Sequence, residues 1–176
     1  ALGTLFYVSN KVLSKSRSKV GDINSMASNP PTYTTDTERF LLPKQNIHLP
    51  PDSIYRTEVQ DIHGDWKQLM DYSGGISLII NVACEWGLTH SNYKELAILH
   101  EKYKSRGFSV LAFPSNDFHQ EKDTNEEILS YVHENFPEVT FPLFSRAPLK
   151  TNMIFQLCEK QTNEKVEWNS ATWSPA

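Results

Sequence analysis

The sequence predicts an α/β fold, and three observations carry that expectation. Residues 77–83 (SLIINVA) and 108–113 (FSVLAF) are nearly continuous apolar runs, the pattern of strands buried on both faces. Between them, residues 92–106 place Tyr93, Leu96, Ala97, His100 and Tyr103 on one helical face, with lysines and glutamates opposite and a stop at Gly107. A strand, helix and strand of these lengths imply two parallel strands joined by a crossover.

The remaining elements follow in order. Residues 54–62 and 66–70 read as two short strands around a turn at His63-Gly64. Beyond the crossover unit, Thr124-Asn-Glu-Glu127 has capping-box spacing and opens a helix carrying Ile128, Leu129 and Val132. Residues 139–144 are strand-like or extended, 153–158 helical, and 165–173 one more strand. Periodicity does not fix the order of the sheet.

The chain has 176 residues, which suits one ordinary domain with an added arm. Only 2 cysteines are present, Cys84 and Cys158, which excludes a disulfide scaffold, and they lack zinc or C-x-x-C spacing. The formal net charge of −4 argues against nucleic acid as a partner, since phosphate binding needs a basic face. The 6 histidines (48, 63, 90, 100, 119 and 133) show no ligand spacing, so neither a metal site nor a cofactor is expected. His100 and Cys158 read as core residues. A soluble domain from a reducing compartment is the expectation.

The charge is unevenly placed. Residues 1–21 hold Lys11, Lys15, Arg17 and Lys19 and no acid, leaving 13 basic against 21 acidic residues in the rest, a balance of −8. Their apolar start, ALGTLFYVSNKVL, followed by SKSRSK, fits an organellar targeting segment, the end of a membrane helix with a basic flank, or an amphipathic arm docked on a protein surface. Residues 22–52, with Pro30-Pro31, Pro43 and Pro50-Pro51, read as an extended linker, and 53–176 as the globular domain.

In an α/β sheet, sites collect at the C-terminal ends of strands, here residues 84–89 and 114–120. These loops carry a resemblance. NVACEWGLT (81–89), NYKELAILHEKYKSRGFSVLAFP (92–114), SNDFHQE (115–121), TNEEI (124–128), FPLF (141–144) and EWN (167–169) together resemble the glutathione peroxidase family over residues 53–169. The resemblance implies a thioredoxin-like sheet flanked by helices, shortened at the C-terminus and extended at the N-terminus. It also implies reduction of hydroperoxides by thiol donors.

The family pattern N-V-A-S-x-C-G-x-T holds cysteine or selenocysteine at its sixth position, and here that position is Trp86, with Cys84 at the usual serine. In the second loop, usually F-P-C-N-Q-F-G-x-Q-E, Ser115 stands at the cysteine, Asp117 at the catalytic glutamine and His119 at the glycine. Trp168 and Asn169 match the family's Trp-Asn pair, and the resolving cysteine of one branch aligns near His133. Peroxide reduction needs a thiolate or selenolate at a helix N-terminus, with amide and indole N–H groups stabilising the anion. Indole is no such nucleophile, and a carboxylate at 117 accepts hydrogen bonds where an amide donates.

The leading expectation is therefore a catalytically inactive domain acting as an accessory subunit of a membrane-associated, mitochondrial assembly; a cytoplasmic location is the alternative. Its contacts with other subunits would run through the arm and a sheet edge left without its usual C-terminal cover. The alternative is an active peroxidase, through Cys84 or through a selenocysteine at 86, because UGA encodes selenocysteine in some family members and Trp in some genetic codes. A redox sensor with an accessible, low-pKa Cys84 is a third reading.

Overall fold

A computed structural model describes residues 6–9 and 49–162. The main sheet has the order β1 (Phe6–Ser9), β4 (Ile76–Val82), β5 (Phe108–Pro114). β4 and β5 run parallel, from Ile76 opposite Phe108 to Val82 opposite Pro114, and β1 pairs antiparallel with the first half of β4. β2 (Glu58–Gln60) and β3 (Trp66–Gln68) form a separate antiparallel hairpin.

The two apolar runs are strands because both faces of the sheet are covered. Leu78, Ile80, Val82 and Cys84, with Val110 and Ala112, pack toward one core; Ile79, Leu111 and Phe113 face the other. α1 (Thr89–Tyr103) contributes Tyr93, Leu96 and Ala97 to the first core, and α2 (Asn125–Asn135) contributes Ile128 and Val132. α3 (Met153–Thr162) places Ile154, Phe155 and Cys158 in the second. At roughly 1.5–3 kcal/mol for each fully buried large apolar side chain, these two cores dominate the folding free energy.

β4 starts where it does because two backbones nearly touch. Ile76 N–H donates to Gly107 C=O at 2.8 Å, and a Cβ on Gly75 would lie 2.0 Å from that oxygen. Gly107 itself ends the crossover with φ 79°, after a 3₁₀ turn at Lys104–Arg106. α1 begins at Thr89, three residues before the predicted start, because Thr89 closes the preceding loop with its own hydroxyl. The capping box is present as both of its bonds: Glu127 N–H to Thr124 Oγ1 and Thr124 N–H to Glu127 Oε2, each 3.2 Å.

Two expectations need adjustment. The first hairpin strands are only 3 residues each, flanked by 3₁₀ turns at Ile54–Arg56 and Leu69–Tyr72. Ser53 sets the first turn, its Oγ accepting from Tyr55 N–H. Residues 139–144 make only isolated bridges, Ala112 with Leu143 and Asp61 with Phe144, because Pro142 has no N–H to continue a ladder. β1 covers part of the edge of β4 that faces away from β5. The rest of residues 1–21, most of the 22–52 linker and the strand expected at 165–173 lie outside the described residues.

His100 and Cys158 are core residues. His100 Nδ1 accepts from Val110 N–H at 3.3 Å, and burial pushes its pKa down. Burial pushes the Cys158 thiol up to about 12. Among the described residues no helix is long and apolar enough to cross a membrane.

Candidate active site

The end of β4 and the start of α1 are tied by one side chain. Thr89 Oγ1 donates to Ala83 C=O at 2.6 Å and accepts from Trp86 N–H at 3.1 Å, while Thr89 N–H donates to Trp86 C=O at 3.0 Å. This closed loop holds half-buried Trp86 three residues before the first residue of a 15-residue helix. A thiolate or selenolate there would be stabilised by the unpaired N–H groups and positive end of the helix. The chain places an indole instead.

The second loop is locked against the first. Glu85 N–H donates to Gln120 C=O at 2.8 Å, and Glu121 Oε1 accepts from Cys84 N–H at 3.1 Å and Lys122 N–H at 2.9 Å. Lys122 also pairs with the Glu85 carboxylate. Glu121 is 5% exposed, and burial raises its carboxyl above the usual range. Cys84 is 3% exposed; burial first, then the neighbouring Glu121, push its thiol far above the ordinary thiol range. A nucleophile or sensor needs the opposite, an accessible thiol with a lowered pKa. Cys84 packs as a small core residue.

Asp117 Oδ2 accepts from Leu149 N–H at 2.9 Å, so the carboxylate anchors the following loop. Trp86 lines a cavity of about 20 Å³ together with Asn81, Asn92, Tyr93, Phe118 and Gln120. That volume holds about one water. Trp168 and Asn169 lie outside the described residues. Gln120 and Glu121 stand in the SNDFHQE block, yet nothing local to it showed that Gln120 C=O would accept from Glu85 N–H and the Glu121 carboxylate from Cys84 N–H. His119 adopts φ 57° where the family pattern has glycine.

A family model described as glutathione peroxidase matches residues 54–157. The chain belongs to the glutathione peroxidase family. Its α/β sheet with helices on both faces is accordingly thioredoxin-like. Among curated relatives, "Probable phospholipid hydroperoxide glutathione peroxidase 6, mitochondrial" of Arabidopsis thaliana is 39% identical over 129 residues, covering 69% of this chain and 55% of the relative. "Probable glutathione peroxidase 3, mitochondrial" of the same plant is 39% identical over 141 residues, covering 76% and 68%. "Probable glutathione peroxidase 2" is 40% identical over 127 residues, covering 68% and 75%. The chain thus spans about half the length of the first of these and two thirds or more of the others.

Proposed function

We propose that this glutathione peroxidase family domain, with tryptophan at position 86, does not reduce hydroperoxides and serves as an accessory subunit. The single observation behind this reading is the absence of an available thiol: Trp86 has none, and Cys84 is buried with its pKa raised. Reduction of a peroxide requires a thiolate to attack one oxygen, forming a sulfenic acid and releasing water or an alcohol. Neither residue supplies that electron pair. A mitochondrial, membrane-associated assembly is the proposed setting, supported by the basic residues 11–19 and by the mitochondrial names of two relatives.

The second reading is an active peroxidase with selenocysteine at 86, and two observations favour it. The relatives are named as glutathione peroxidases, and position 86 stands before a helix N-terminus and lines a cavity that Gln120 also lines. Steady-state assays of the native full-length protein with hydrogen peroxide and a phospholipid hydroperoxide, using glutathione and thioredoxin in turn, test both. Background rates and an intact-peptide mass showing tryptophan support the accessory reading. Family-like turnover, or selenium in the peptide containing residue 86, replaces it with the peroxidase.

A further inference from the structure

One short segment joins the hairpin to the main sheet, and a cleft lies at the joint. Phe144 N–H donates to Ala112 C=O in β5 at 2.9 Å. On its other side Ile62 N–H donates to Leu143 C=O, and Ser145 N–H to Gln60 C=O, each at 2.9 Å. The hairpin is thereby set beside β5, while α2 packs Ile128 and Val132 into the first core. Residues of the helix, the hairpin and the joining segment line a cleft of about 270 Å³. That volume is close to the lower end of the roughly 300–1,000 Å³ range of small-molecule sites, which suits one or two rings. The cleft shares no described residue with the cavity at Trp86.

The lining selects for ring, charge and hydrogen bonding in turn. His63, Tyr72, His133, Phe141 and Phe144 all carry rings, which pack favourably against another ring. The full charges close on one another. Asp61 Oδ1 accepts from His63 N–H at 2.9 Å and Asp65 N–H at 3.0 Å, and its Oδ2 pairs with Lys67 at 3.2 Å. Lys67 is also 3.7 Å from the Asp65 carboxylate, so two acids already hold this ammonium. Three uncommitted polar groups remain. Among the described residues, the side chains of His63, Tyr72 and His133 make no hydrogen bond or ion pair. His63 stands on the hairpin and His133 on α2, so each wall supplies an imidazole. A neutral imidazole offers one N–H and one acceptor nitrogen, and the tyrosine hydroxyl both donates and accepts.

We propose that this cleft binds a small neutral aromatic alcohol, a phenol, with its ring between α2 and the hairpin and its hydroxyl bonded by the two imidazoles. The ring meets Leu129, Val139 and Pro142, which are half-buried, above the buried Phe141 and Leu143. A hydroxyl suits groups that each donate and accept, because it does the same. A carboxylate does not: it would compete with Asp61 and Asp65 for Lys67 and would be repelled by both. A bare hydrocarbon ring gains the apolar contact and leaves the imidazoles unused. The site stands whether residue 86 is catalytic or not.

Methyl NMR of the full chain tests it with three matched compounds: para-cresol, toluene and para-toluate. Near neutral pH, para-cresol is expected to shift the methyl signals of Leu129, Val139 and Leu143 saturably. A Kd of about 1 mM is expected, the range for a ligand of about eight non-hydrogen atoms. The methyls of Leu49 and Ile79, in the second core, should stay in place. Toluene and para-toluate should bind about 10-fold more weakly, the worth of two modest hydrogen bonds. A His63→Phe/His133→Phe variant keeps rings at two exposed positions, and there para-cresol should weaken to the level of toluene. Unchanged Leu49 and Ile79 signals in that variant confirm its fold. Para-toluate binding as tightly as para-cresol would overturn the proposal by assigning an anion site at Lys67. Toluene binding as tightly, or a double variant with unchanged affinity, would reduce the cleft to an unselective apolar groove and overturn it too. So would shifts that never saturate or that centre on residues outside the cleft.

Discussion

His119 adopts φ 57°, and among the described residues no other non-glycine side chain has a positive φ. A left-handed conformation costs an L-residue about 1–2 kcal/mol, while glycine's extra freedom in the unfolded chain costs about 0.5–1 kcal/mol. His119→Gly is therefore expected to raise stability by up to about 1 kcal/mol, read as a higher urea midpoint with unchanged slope. A lower midpoint would mean that the imidazole makes contacts worth more than the strain. Glu121 gives a second test nearby. Because burial raises its folded-state pKa, the folded protein keeps a proton that the unfolded chain has already lost. Its contribution is then full below the ordinary carboxyl range and declines as pH rises through the folded-state value. Glu121→Gln keeps an oxygen to accept from Cys84 and Lys122 without the buried charge, so the variant's stability should vary less with pH between acid and neutrality. Glu121→Ala leaves those N–H groups without an acceptor and should cost about 1–3 kcal/mol. Urea midpoints of both variants at several pH values distinguish the charge from the acceptor. Asp117 shows why this loop could not be read from its sequence: its partner, Leu149 N–H, lies 32 residues on.

At the scale of elements, the sequence was most readable where one local rule sufficed. The continuous apolar runs gave β4 and β5 because each is buried on both faces, and Thr124 with Glu127 gave the start of α2 because a capping box closes within four residues. Thr124→Ala removes one of the two box bonds and is expected to cost about 1 kcal/mol, with Thr124→Ser close to neutral; thermal or urea unfolding measures both. An equal loss in both variants would show that the methyl group matters rather than the hydroxyl. The pieces less readable in sequence depend on distant partners. The run FYVS carries no sign that it pairs with residues 76–79, some 70 positions away, and an apolar start beside lysines reads equally well as a membrane or targeting segment. Residues 139–144 have strand-like composition, but one proline decides that they bridge rather than pair. The family motifs located the candidate site at Trp86; they did not show that Gln120 and Glu121 would lock the second loop onto Glu85 and Cys84.

Across the whole molecule, the two cysteines divide between the two faces of the sheet. Cys84 belongs to the core under α1 and α2, and Cys158 to the core under α3, at 3% and 0% exposure. The same strands wall both cores, with Ile79 and Leu111 on one side and Ile80 and Val110 on the other, so neither core can lose its packing without disturbing the sheet that supports the other. Both thiols also have raised pKa values, which suppresses thiolate in the folded state. In the native protein near neutral pH, a small alkylating reagent is therefore expected to label both residues slowly and at similar rates, through global opening, and both promptly in denaturant. Peptide mass spectrometry over a time course measures the two rates separately. Cys158 labelling well ahead of Cys84 would show that α3 detaches as an independent unit. Rapid labelling of Cys84 alone would expose a thiol beside the Trp86 loop and return that residue to the list of candidate nucleophiles.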